Sequence, residues 1–231
     1  MLGATMMKRK LSKRSQVDKV RTQHNQRTVS RRMRLTVDVA MALVYLLQMA
    51  PYQTGGWYHE VAGLAFVGLL IVHHVLNARW LRIEVRQRDW LPLVLDAALL
   101  ICVAGIALSG MAMAQHVRFL QVEGLAHIAR TAHACITYAG LMLVSVHVGL
   151  HVPHGWLEGL SSGVRALVAV LTLVGGAYAF VNLGVAIKLS WGLSFPDGMT
   201  PLPVLVLKHV LLALPFILAG CGMAMRRKGS R

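Results

Sequence analysis

Apolar residues fall in six long runs along the chain, at roughly 35–52, 59–80, 91–114, 127–151, 163–188 and 203–225. Each run is close to the ~20 residues an α-helix needs to cross the ~30 Å hydrocarbon core of a bilayer. None alternates with a period of two, which argues against a transmembrane β-barrel, and the connections are too short to hold a soluble catalytic domain. The pattern predicts an all-α integral membrane bundle of about six transmembrane helices. Three regions follow: a basic N-terminal segment over 1–34, a four-helix unit over 35–155, and two further helices with a basic tail over 156–231.

Histidine dominates the polar interruptions of these runs. His59 and His73 lie fourteen residues apart in the second run, and His133 and His147 lie fourteen apart in the fourth. Fourteen residues turn a straight helix by about 1400°, some 40° short of four full turns, so both members of a pair share one face. Supercoiling to about 3.5 residues per turn removes the residual angle. The members of each pair stand roughly 21 Å apart along the helix axis. An offset of 74 residues superimposes the two runs, pairing His73 with His147 and Asn77 with His151, and it selects His73 over His74. The preceding runs end alike, in Gly55-Gly56 and in Ser109-Gly110, so runs one to four read as two copies of one helical hairpin.

Two facing helices of this kind present two stacked pairs of imidazoles. Neutral imidazole on both axial sides is what a b-type haem iron requires. A zinc or copper site needs three or four ligands converging on one point, whereas these residues form two separated pairs. A proton pathway through the same side chains is the main competing reading. Because ionisable groups inside a membrane are costly, four of them sharing face, depth and repeat position favour two haem sites, His59 with His133 and His73 with His147. The expected architecture is a four-helix di-haem core with two extra helices. Cys102, Cys135 and Cys221 all lie inside runs and no Cys-x-x-Cys-His occurs, so the two haems b would be held without thioether bonds.

Other polar residues carry weaker signals. Arg130, three residues before His133, and Arg79 and Arg82, beyond His73, are candidate partners for haem propionates, with snorkelling to lipid headgroups as the alternative. His151, one turn beyond His147, suits a propionate or a quinone, or else a water at the helix end. Asp38 and Asp96 suit proton uptake or a hydrogen bond to a ligand histidine, although Asp38 also stands at helical spacing from Arg34 and a salt bridge there is the preferred reading. His209 is a rival outer ligand, but its helix offers no second histidine. Small residues along both histidine helices, among them Gly63, Gly68, Gly140 and Gly149, suit either ordinary helix packing or a flat macrocycle.

The net charge of +15 would suggest nucleic acid in a soluble protein, but here the basic residues sit where topology needs them. Of the 24 Lys and Arg, 20 fall on one side of the expected membrane and four, Arg118, Arg130, Lys188 and Lys208, on the other. The positive-inside rule then places both termini in the cytoplasm. No nucleic-acid partner is expected. Ser30-Arg31-Arg32 partly matches a twin-arginine export signal, yet a first run followed by five more favours a retained anchor.

The fourteen-residue histidine pattern on two helices resembles the di-haem cytochrome b superfamily. That superfamily includes respiratory cytochrome b and the ferric-reductase-like transmembrane proteins. The strings His59-Glu60-x-x-Gly63 and His73-His74-x-x-Asn77-x-x-Trp80 look closest to an uncharacterised bacterial family within it. The resemblance covers about residues 35–155 and implies that His59, His73, His133 and His147 ligate two haems. The haem ladder, together with the absence of any substrate domain, leads to the expectation of a bacterial inner-membrane subunit passing electrons between the quinone pool and a redox partner protein, with quinone as a further ligand and lipid all around. A stand-alone reductase of an outer acceptor, such as ferric iron or a flavoprotein, is the alternative, and a haem-free transporter or scaffold is a third class. The lack of a fused flavin or nicotinamide domain counts against a self-contained reductase.

Overall fold

The structure is a computed structural model and describes residues 31–87, 90–116, 124–152, 155–192 and 198–229. Most of the basic N-terminal segment, Arg118, and Pro196 and Asp197 of the 189–202 connection lie outside the described residues. All regular structure among the described residues is helical. The elements are α1 (31–48), α2 (Pro51–Thr54), α3 (Gly56–Gln87), α4 (Trp90–Met113), α5 (Ala126–His151), α6 (Gly155–Glu158), α7 (Ser162–Asn182), α8 (Val185–Leu189) and α9 (Leu202–Gly229).

Five of these helices, α3, α4, α5, α7 and α9, are long and apolar enough to cross a membrane. The chain is therefore a helical membrane protein whose outer surface meets lipid. Large side chains point outward accordingly, with Val181 76% exposed, Ile101 72% and Val75 71%. The first expected run, 35–52, is carried by α1 and α2, and α1 opens with Arg31, Arg32, Arg34 and Asp38. The two helices break at Ala50, whose φ of −125° and ψ of 54° are not helical. Pro51 is the cause, since its ring disfavours the helical conformation in the residue before it. The expected fifth span, 163–188, is likewise not one helix: α7 ends at Asn182, Gly184 adopts the left-handed conformation (φ +58°), and α8 resumes at Val185.

α5 is the central helix and packs on α4, α8 and α9, while α7 packs on α8 and α9 and α3 lies along α4. The core joins Tyr138 and Leu141 of α5 to Ala179, Leu183, Val185, Leu205 and Leu212, and the end of α1 reaches it through Met49 and Ala50. Two close approaches set the helix spacing. Gly149 and Gly220 let α5 and α9 cross almost backbone to backbone, where a Cβ on Gly149 would collide with the Ile217 carbonyl. Gly176 faces the ring of Pro215, whose Cγ would lie 2.7 Å from an added Cβ. α3 is the least buried of the five long helices and α5 the most.

Candidate functional site

Both histidine runs form unbroken helices, α3 and α5, so the register anticipated for the four histidines is preserved. Contacts between the two helices occur at two heights. His59 meets His133, and Trp80 meets His151. The order of these contacts along both chains means that α3 and α5 run parallel, and the histidines fall into a first level with His59 and His133 and a second with His73 and His147.

At the first level the rings of His59 and His133 stand edge to face, with centroids 6.0 Å apart and planes at 67°. Nδ1 of His133 lies 3.1 Å from the Ile106 carbonyl and 3.1 Å from Oγ of Ser109, both on α4. The Ser109 hydroxyl donates to the Gly105 carbonyl at 2.6 Å, so the proton on His133 Nδ1 goes to Ile106 and Nε2 is left as a lone-pair donor. Gly110 leaves room for this ring, since an added Cβ would meet His133 Cε1 at 3.4 Å. Nδ1 of His59 is buried with no hydrogen-bond partner. The backbone of His59 is tied to α1, where Gln48 Nε2 donates to its carbonyl at 2.8 Å. The neighbouring Glu60 turns away from the ring pair. Its two carboxylate oxygens accept the backbone N–H groups of Gln115 and His116 at 2.8 and 2.9 Å, and Oε1 also meets His116 Nδ1 at 3.1 Å.

At the second level each histidine faces a carboxylate from the helix before it. Nδ1 of His73 lies 2.7 Å from Asp38 Oδ1 on α1, and Nδ1 of His147 lies 2.9 Å from Asp96 Oδ1 on α4. The first contact is a hydrogen bond; the second is within ion-pair distance but off the line a hydrogen bond requires. The salt bridge expected between Asp38 and Arg34 is not made, because α1 packs close enough to α3 for His73 to take the carboxylate. Asn77 donates to the His73 carbonyl at 3.0 Å, which braces the same turn. His74 points outward, with its Nδ1 2.9 Å from the Leu70 carbonyl of its own helix.

His151 lies against His147 and Trp80 rather than facing water alone. Its ring centre is 4.5 Å from that of His147 and 4.8 Å from that of Trp80, and its Nδ1 donates to the His147 carbonyl at 2.8 Å. His209 is away from both levels and only 1% exposed. Its two ring nitrogens meet the Leu205 carbonyl at 2.8 Å and the Tyr138 hydroxyl at 3.1 Å, so it is a satisfied core residue rather than a rival ligand. Lys188 donates to that hydroxyl at 3.2 Å and to the Leu183 carbonyl freed by the break between α7 and α8. Arg130 and Arg79 are both exposed, and neither pairs with a carboxylate among the described residues.

No group of three or more His, Cys, Asp or Glu side chains that could hold a metal ion occurs among the described residues. A porphyrin iron takes four ligands from the macrocycle and needs only two from protein. Two imidazoles bound to one metal through nitrogens at about 2 Å have ring centres about 6.3 Å apart. The His59–His133 ring centres, 6.0 Å apart, stand at about that separation. The sequence named all four of these histidines and, in Asp38 and Asp96, candidate hydrogen-bond partners for them, but not the supports of the first level. Ser109 and the Ile106 carbonyl gave no signal, since an ordinary Ser inside an apolar run looks the same wherever it points. No protein-family model, curated protein or solved structure matches the chain.

Proposed function

We propose that the chain is a di-haem b-type membrane cytochrome, with one haem held by His59 and His133 and the other by His73 and His147. The observation that carries the reading is the 6.0 Å His59–His133 pair on two parallel helices that each bear a second, carboxylate-backed histidine fourteen residues further on. Support for His73 over His74 comes from the Asp38 contact, which His74 lacks. When bound, haem supplies a one-electron Fe(III)/Fe(II) couple at each level. The protein's own residues then do three things. α1 holds the His59 turn through Gln48, α4 orients the ring of His133 through Ile106, and the low burial of α3 leaves its flank free for a flat cofactor or lipid.

The two levels stand roughly 21 Å apart along the helices, which spans most of a bilayer core of ~30 Å. The chain would thus conduct electrons across the membrane, between the quinone pool and a redox partner protein. The lysine and arginine distribution supports a bacterial inner-membrane protein with both termini in the cytoplasm, and it puts the His73–His147 level on the cytoplasmic side. Arg130 and Arg79, exposed at opposite ends of the site, are the propionate partners in this reading. The test is optical. Membranes containing the protein, treated with a quinol analogue, should show a reduced b-type band; a b-type band that dithionite produces and quinol does not would overturn the quinone assignment.

A further inference from the structure

The two levels differ in what stands behind the imidazoles. At the second level both Nδ1 atoms face a carboxylate oxygen, that of Asp38 at 2.7 Å and that of Asp96 at 2.9 Å. At the first level His133 Nδ1 meets a neutral carbonyl, and His59 Nδ1 meets nothing. The two aspartates come from the helices that precede the two histidine helices, α1 and α4, so each second-level histidine has a carboxylate behind it. Neither first-level histidine has one there.

The charged groups around each level narrow this difference without removing it. Arg79 and Arg82, beyond His73 on α3, are exposed and pair with neither aspartate among the described residues; Arg34, one turn before Asp38, keeps its Nε unpartnered. At the first level the one nearby carboxylate, Glu60, holds two backbone N–H groups and the His116 ring. Its charge acts on His59 from a distance, but neither His59 nor His133 has a carboxylate at Nδ1.

A carboxylate beside Nδ1 favours the more positive state of a nearby centre through its negative charge, and where it accepts from Nδ1–H, as Asp38 does, it also makes Nε2 a stronger donor. Both effects stabilise Fe(III) over Fe(II). We infer that Asp38 and Asp96 are potential-setting residues that make the His73–His147 level the low-potential site and the His59–His133 level the high-potential one. The inference rests on the di-haem reading above. It also gives the conduit a direction: electrons run downhill from the second level to the first. With a quinol as donor, two electrons leave in single steps with two protons as quinone forms, and each electron reduces one equivalent of a one-electron redox protein at the other face.

The experiment is a potentiometric titration of the haem absorbance in the purified full-length protein. The wild type should titrate in two steps. His147→Ala or His73→Ala should abolish the lower step, and His133→Ala or His59→Ala the upper one. Asp38→Asn and Asp96→Asn should each raise the lower step and leave the upper unchanged, whereas Asp38→Glu and Asp96→Glu should largely restore it. Should an Asn variant hold no second haem, the order read from the histidine variants still decides. Two haems in the reverse order, or an upper step that moves with the aspartates, would overturn this inference alone. Purified protein without haem would overturn the di-haem reading itself.

Discussion

Asp38 shows how a single residue changes meaning between chain and fold. Along the chain it stands one turn from Arg34 and reads as half of a surface ion pair, which is rarely worth more than ~1 kcal/mol. In the fold it faces His73 at 2.7 Å, because α1 lies against α3. That register depends on the turn at Met49–Gly55, whose geometry no helical periodicity encodes. The histidine positions themselves were legible, since 100° per residue determines which side chains share a face. His73 and His74 differ by that single step. Replacing His74 with Ala should leave haem content and the b-type band unchanged, whereas His73→Ala should lose one haem, as measured by pyridine haemochrome on purified protein; loss from the His74 variant would put the register one residue out. His151→Ala should keep both haems, because His151 spends its Nδ1 on its own helix and lies beside His147 rather than opposite it.

Among the elements, α5 carries the most, packing on α4, α8 and α9. Its crossing with α9 depends on Gly149 and Gly220, where backbone meets backbone. Without a hydrophobic drive between helices in lipid, such close packing is a main source of association. Gly149→Ala forces the two helices apart and should cost roughly 1–3 kcal/mol, the usual penalty for overpacking. Gly163→Ala, at a position with no neighbour within 4 Å, is the control. Circular dichroism in detergent should show a lower thermal midpoint for the first variant and no loss for the second. Hydropathy read α7 and α8 as one span because the apolar character runs straight through the break. The local signal was present nonetheless: Gly184 follows a helix end at Asn182 and takes the left-handed conformation that glycine permits. The partner of the freed Leu183 carbonyl, Lys188, was not readable from sequence, as it required knowing that the chain turns back there.

At the scale of the whole molecule the long apolar runs gave the helical membrane bundle directly, since their length and composition meet the thickness of a bilayer. The hairpin repeat also gave the parallel course of α3 and α5, which the His59–His133 and Trp80–His151 contacts bear out. Less visible was the division of labour. α3 and α5 carry the four histidines, α1 and α4 supply the partners behind His73, His133 and His147, and α7 to α9 form a buttress on α5, where His209 meets Tyr138. The account stands on two haems at two heights in one chain, and its most direct test is the haem-to-protein ratio of purified material with its reduced-minus-oxidised spectrum. Two haems b per chain are predicted, falling to one when His133 is replaced by Ala. A ratio near zero, or one haem that survives loss of His133 and of His147 in turn, would contradict it.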